Sequence, residues 1–95
     1  MAIEVDKFGN EVHRNSRNEI HNLYGPATIS KYKNGNVSCE SWFVNDVCHR
    51  EDGPSVRIYE YDEKGNRHVV YEAFYLHGNP MSAQEHRDAW DKMRK

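Results

Sequence analysis

The chain has 95 residues, thirteen of them basic and fifteen acidic, for a formal net charge of −2 with the two signs interspersed along its length. That distribution excludes the basic stripe of a nucleic-acid footprint and the acidic surface of a DNA mimic, so direct nucleic-acid binding is not expected. Only 37% of the residues are hydrophobic while 12% are aromatic, which predicts one thin-cored domain whose buried area comes largely from Trp, Tyr and Phe.

The elements follow in chain order. Residues 1–17 read as an N-terminal hairpin, with strand Ala2–Lys7, turn Phe8-Gly9-Asn10 and a short return Glu11–Arg14. Strand Ala27–Lys33 then turns at Asn34-Gly35-Asn36 into Val37–Val44, and a two-residue Asn45-Asp46 turn leads to a return at Val47–His49. Strand Ser55–Asp62 turns at Lys64-Gly65-Asn66 into His68–Leu76, which ends in the turn His77-Gly78-Asn79-Pro80. Each Gly or Asn supplies the positive φ that a tight hairpin turn requires. Pro26 and Pro54 cannot donate to a ladder and fit the first residue of a strand. In the last segment, 81–95, Ser82-Ala83-Gln84-Glu85 is a capping box, which predicts a helix over about 83–93 with Trp90 as its anchor to the sheet. The expected fold is therefore mainly β, an antiparallel meander of repeated β-hairpins with a short C-terminal α-helix.

No apolar run reaches spanning length, and Met1-Ala2-Ile3-Glu4-Val5-Asp6 lacks the regions of a signal peptide, so a cytoplasmic protein away from membranes is expected. In that compartment Cys39 and Cys48 are predicted to be free thiols. If Asn45-Asp46 is the turn, Cys48 pairs with Phe43, and Cys39 lies four positions further along, out of bridging range.

Residues 18–47 and 48–80 read as two copies of one unit. His21 and Gly25-Pro26 fall on His49 and Gly53-Pro54 at an offset of 28, and Cys39–Val44 falls on Tyr71–Leu76 at an offset of 32. With Asn34-Gly35 as a two-residue loop, Ala27, Ile29, Trp42 and Val44 share a face with Lys31 and Glu40. With Glu63–Asn66 as a four-residue loop, Tyr59, Val70, Phe74 and Leu76 share a face with Arg57 and Glu72, and Val56, Ile58, Val69, Tyr71, Ala73 and Tyr75 share the other. Neither face is cleanly polar. The second side is predicted to be covered by the helix, a partner or a second subunit, and a symmetric homodimer is the economical outcome.

The stretch from Trp42 to Ser55, aromatic-aromatic-x-Asn-Asp-x-x-His-Arg-x-Asp-Gly-Pro-Ser, resembles the MORN-like repeat of small bacteriophage and large-virus proteins. The resemblance covers roughly residues 18–80, and the upstream copy carries Asn22 and Tyr24 where the downstream one has Arg50 and Asp52. The Tyr-x-Gly start of true MORN repeats is missing, so their lipid and junctional roles do not transfer. What the resemblance implies is a β-hairpin array of phage or viral origin, and no chemistry. With that origin, the cytoplasm in which the protein is expected is that of a host cell.

The histidines stand singly at 13, 21, 49, 68, 77 and 86. Without paired ligands at metal spacing, neither a metal nor another cofactor is expected. His21 and His49 occupy equivalent positions, which predicts a structural role in which each imidazole bonds a backbone carbonyl beside the turn. Asp52, ahead of Gly53-Pro54, reads as a turn former braced by Arg50. Glu40 and Glu72 are equivalent strand residues, with Glu72 expected to pair with Arg57 across its hairpin. No phosphate loop or nucleophile elbow occurs, and the chain reads as no enzyme.

Binding is the remaining class. Arg57, Tyr59 and Tyr61, with Trp42 and Phe74, form the predicted partner-binding patch, because large aromatics and Arg dominate interface hot spots. The expected function is stoichiometric binding of a host protein, as an anti-defence or anti-CRISPR inhibitor. Two other readings stand beside it: sequestration of a small anionic ligand such as a nucleotide signal by Arg57, Arg67, His68 and the tyrosines, and a virion or assembly component.

Overall fold

The computed structural model describes residues 2–94. The predicted segments 1–17 and 81–95 begin and end on Met1 and Lys95, which lie outside the described residues. Three glycines set the main hairpins. Gly9, Gly35 and Gly65 have φ of 85°, 92° and 84°, a left-handed conformation that costs glycine no steric penalty. Around each runs the same bonding. Asp6, Tyr32 and Asp62 donate their amides to the carbonyls of Asn10, Asn36 and Asn66 at 3.0, 2.8 and 3.0 Å, and the glycine amide returns to the first residue at 3.1, 2.9 and 3.0 Å. The loops between these bonds are therefore three residues long, not the two and four that the sequence suggests.

These turns join β1 (Ala2–Val5) to β2 (Glu11–Arg14), β3 (Thr28–Lys31) to β4 (Val37–Ser41), and β7 (Val56–Tyr61) to β8 (Arg67–Leu76). With β9 (Asn79–Met81) they form a seven-stranded sheet in the order β1-β2-β3-β4-β7-β8-β9, every pairing antiparallel. Near the turns the register shifts at Ser30/Lys31 and at Ile58/Tyr59. Beyond those bulges the predicted pairs hold, with Ile29 opposite Glu40 and Arg57 opposite Glu72. The second bulge leaves Val70 unpaired and sets Val69 opposite Tyr59, so Val69 leaves the side on which alternation placed it.

β9 was not expected, because the sequence reading places Asn79 and Pro80 in the turn that ends β8. It sits at the sheet edge, with Pro80 opposite Tyr75, where a missing N–H leaves the rest of the ladder intact. Between β4 and β7 a separate two-stranded hairpin, β5 (Phe43–Val44) and β6 (Val47–Cys48), turns at Asn45 and Asp46, whose φ of 50° and 68° are those of the primed turn that matches strand twist. Cys48 lies opposite Phe43, and both cysteines are free thiols.

The helix α1 (Ala83–Met93) begins as predicted. Ser82 accepts from the Glu85 amide at 3.1 Å, and the Glu85 carboxylate accepts from the Ser82 amide at 2.9 Å. Its anchor differs from expectation. His86 is the buried residue of the helix, its ring 5.1 Å from that of Phe74 and its Nε2 donating to the Arg50 carbonyl at 2.6 Å, while Trp90 is only half-buried.

Register assigns the two faces. Glu11, Ile29, Glu40, Arg57 and Glu72 form one row, flanked on the same side by Ala27, Trp42, Ser55 and Tyr59. Ala27, Ser55 and Tyr59 are fully buried, so this is the closed face, covered at one end by the loops and helix. The opposite face carries Val12, Thr28, Ser41, Val56 and Ala73 in one row and Ser30, Cys39, Ile58 and Tyr71 in the next. None of those side chains is fully buried.

Candidate functional site

Two loops cross the closed face, and each is tied down by one histidine. His21 Nδ1 accepts the Asn45 amide at 3.0 Å, and His49 Nδ1 accepts the His77 amide at 2.8 Å. The expected carbonyl partner is thus replaced by an amide of the neighbouring turn. The physical reason is the left-handed turn, which leaves its first N–H without a ladder partner. Accepting at Nδ1 fixes the proton on Nε2, and in His49 that nitrogen lies 3.4 Å from Glu51. The rings of His49 and His77 pack at 4.4 Å between centroids.

Arg50 is the hub of the second loop. Its guanidinium lies 4.0 Å from the Trp42 ring centroid, its Nε donates to Asp52 at 3.0 Å and its Nη1 donates to the Pro54 carbonyl at 3.1 Å. Its backbone amide donates to Tyr75 at 3.2 Å, and its carbonyl receives the His86 bond. The predicted brace between Arg50 and Asp52 is therefore present. In the first loop Asn22 does the same work alone: its Nδ2 donates to the Pro26 carbonyl at 3.1 Å and its Oδ1 accepts the Tyr24 amide at 3.1 Å. Asn22 thus reaches the Pro26 carbonyl as Arg50 reaches the Pro54 carbonyl.

Between the loops opens a cleft of about 680 Å³, walled by Trp42, Trp90, Val44, His49, His77 and Arg50 and rimmed by Leu23, Tyr24, Glu51 and Asp52. Gly25 of the first loop also lines it. Leu23 is 64% exposed and Tyr24 88%. The partial sequence signal for these two was the repeat alignment, in which they replace the charged Glu51 and Asp52 at an offset of 28. Leu23 and Tyr24 are adjacent and line the same cleft as Trp42 and Trp90, so they are part of one exposed patch and not scattered surface residues.

The predicted patch does not assemble as one surface. Trp42 belongs to the cleft, Phe74 lies against His86, and Arg57, Tyr59 and Tyr61 stand on the sheet beyond them. Tyr59, expected as a contact residue, is 1% exposed and is a core residue. Its hydroxyl donates to the Glu40 carboxylate, its carbonyl accepts from Tyr32 at 2.6 Å, and Arg67 lies 4.3 Å over its ring. Burial, reinforced by Glu40, raises the Tyr59 pKa and keeps the phenol neutral. Burial alone would lower the Arg57 pKa, but the Tyr59 hydroxyl and Glu72, 3.1 Å away, outweigh it. Tyr61 is half-buried and donates to the Val37 carbonyl at 2.9 Å. The alternation of β7 showed which residues share a side but not which side would close.

Among the described residues no group of three or more His, Cys, Asp or Glu gathers as a metal site, and no helix is long and apolar enough to cross a membrane. Burial raises the Cys48 pKa, which holds the thiol protonated against a weaker opposing bond from Ser55.

No match settles the family. Compared with family models, curated proteins and solved structures, the chain matches none of them. The cleft is therefore the strongest guide to function.

Proposed function

We propose that this protein is a non-catalytic binding module that acts one-to-one on a protein partner, with the loop cleft as its contact surface. The observation that carries the reading is the pair Leu23 and Tyr24, exposed at the lip of a cleft walled by both tryptophans and by Arg50. Trp, Tyr and Arg are the residue types that dominate interface hot spots. Arg50 is held by Trp42, Asp52 and the Pro54 carbonyl, so docking against it loses little rotamer freedom. The MORN-like motif, read as a repeat array from a phage, supports a host protein as the partner and inhibition of a host defence as the role. Capture of an anionic nucleotide is less well supported, since Arg57 is paired with Glu72 and Arg67 is laid over Tyr59.

The test uses the exposed lip. A partner recovered from host lysate should bind with a stoichiometry of one, and Tyr24→Ala or Leu23→Ala should weaken it roughly thirtyfold, the equivalent of about 2 kcal/mol. Both variants should keep the parent melting temperature. Unchanged affinity in both would remove the cleft as the contact surface.

A further inference from the structure

The open face of the sheet has its own logic, independent of the cleft. Val12, Cys39, Val56, Ile58, Tyr71 and Ala73 lie on it without one fully buried member, and Tyr71 is 53% exposed. The charges that share this side stand at its ends. Glu4 and Arg14 are paired at 2.6 Å beside the β1 edge, and Glu60 and His68 face each other next to the Gly65 turn. The centre is uncharged, whereas the closed face carries Glu11, Glu40, Arg57 and Glu72 in one row.

The dimensions say how much surface is left over. The chain exposes 6543 Å² and measures 42 × 36 × 19 Å. A globular monomer of 11.2 kDa exposes about 5,700 Å², so the excess is about 850 Å². One partner's share of a standard interface is about 800 Å². A two-fold dimer sets each patch against itself, and an uncharged patch does so without like-charge repulsion.

We propose that the open face is the interface of a symmetric homodimer in which two sheets pack face to face through Val12, Cys39, Val56, Ile58 and Tyr71. Both clefts then point away from the interface, and the dimer presents two contact surfaces. Such bivalency raises avidity for any partner that displays two sites within reach.

Light scattering at micromolar concentration should give about 22 kDa, twice the mass of the 11.2 kDa chain. Tyr71→Lys, at a position already exposed, should halve that mass while leaving the far-ultraviolet spectrum unchanged, and Val56→Lys should do the same. Labelling of Cys39 by a thiol reagent should be slow in the parent and fast in Tyr71→Lys, with Cys48 as the internal reference. Ile3→Lys on β1 should stay dimeric. A monomeric parent, a dimer that survives both open-face substitutions, or dissociation by Ile3→Lys alone would overturn the proposal. None of these outcomes depends on the cleft, so this reading and the binding reading can fail separately.

Discussion

Gly25 and Gly53 occupy the same place in the two loops, yet they are needed for different degrees of closeness. A Cβ on Gly53 would lie 2.9 Å from Arg50 Cζ and 3.2 Å from its Nε and Nη1, whereas one on Gly25 would meet only Asn22 Nδ2 at 3.8 Å. Arginine folds back over its own loop, and the shorter asparagine does not reach. Gly53→Ala must therefore shift the guanidinium against Trp42 and Asp52 and should cost about 1 kcal/mol, because the displaced group is the tip of a flexible side chain whose Asp52 partner is exposed. Gly25→Ala should stay within about 0.5 kcal/mol of the parent. Urea unfolding of the two variants checks the contrast, and equal losses would mean that the Arg50 packing is not what requires glycine.

At the scale of the element, the main hairpin turns are closed by backbone bonds and two of them also by a carboxylate. Asp62 accepts from the amides of Lys64 and Asn66 and from the Asn66 side chain at 2.9, 2.9 and 3.1 Å, and Asp6 makes the matching set around Gly9. The Asn66 amide, then its side chain, hold the Asp62 pKa below the ordinary 3.8. A carboxylate with a depressed folded pKa stabilises the fold above its unfolded value and loses that contribution as pH falls through the folded one. The melting temperature should thus drop as pH falls below 3.8, and it should drop less steeply in Asp62→Asn, which cannot titrate. A parallel fall in parent and variant would show that the turn carboxylate has no part in acid lability.

For the molecule as a whole, flatness is the main constraint. The radius of gyration is 14.4 Å, where a compact chain of this length has about 12.4 Å. Fully buried side chains are few, and Tyr59 is the largest of them. Tyr59→Ala should cost about 3–5 kcal/mol, a large part of the stability of so small a domain. Tyr61→Ala, at a half-buried position on the same strand, should cost much less. Denaturant midpoints decide this, and a small loss at Tyr59 would mean that the core lies elsewhere.

The sequence by itself determined what short-range chemistry controls. Gly9, Gly35 and Gly65 demand left-handed turns, Asn45-Asp46 demands a primed one, and Ser82 with Glu85 starts the helix, so the antiparallel order and the Arg57–Glu72 pair were legible. The loop lengths were not, because a three-residue loop followed by a bulge yields the same distant pairs as the simpler turns that alternation suggests. Tertiary structure alone decided which face closes. Tyr59 and Tyr71 lie on neighbouring strands with the same side chain, yet one is sealed within the chain by Arg67 and Glu40 and the other is left half exposed on the open face. It also chose His86 over Trp90 as the helix anchor and brought Trp42, Arg50 and Trp90 together with Leu23 and Tyr24. Those choices depend on where two loops and a helix fold back across the sheet, and a period of two along each strand carries no information about that.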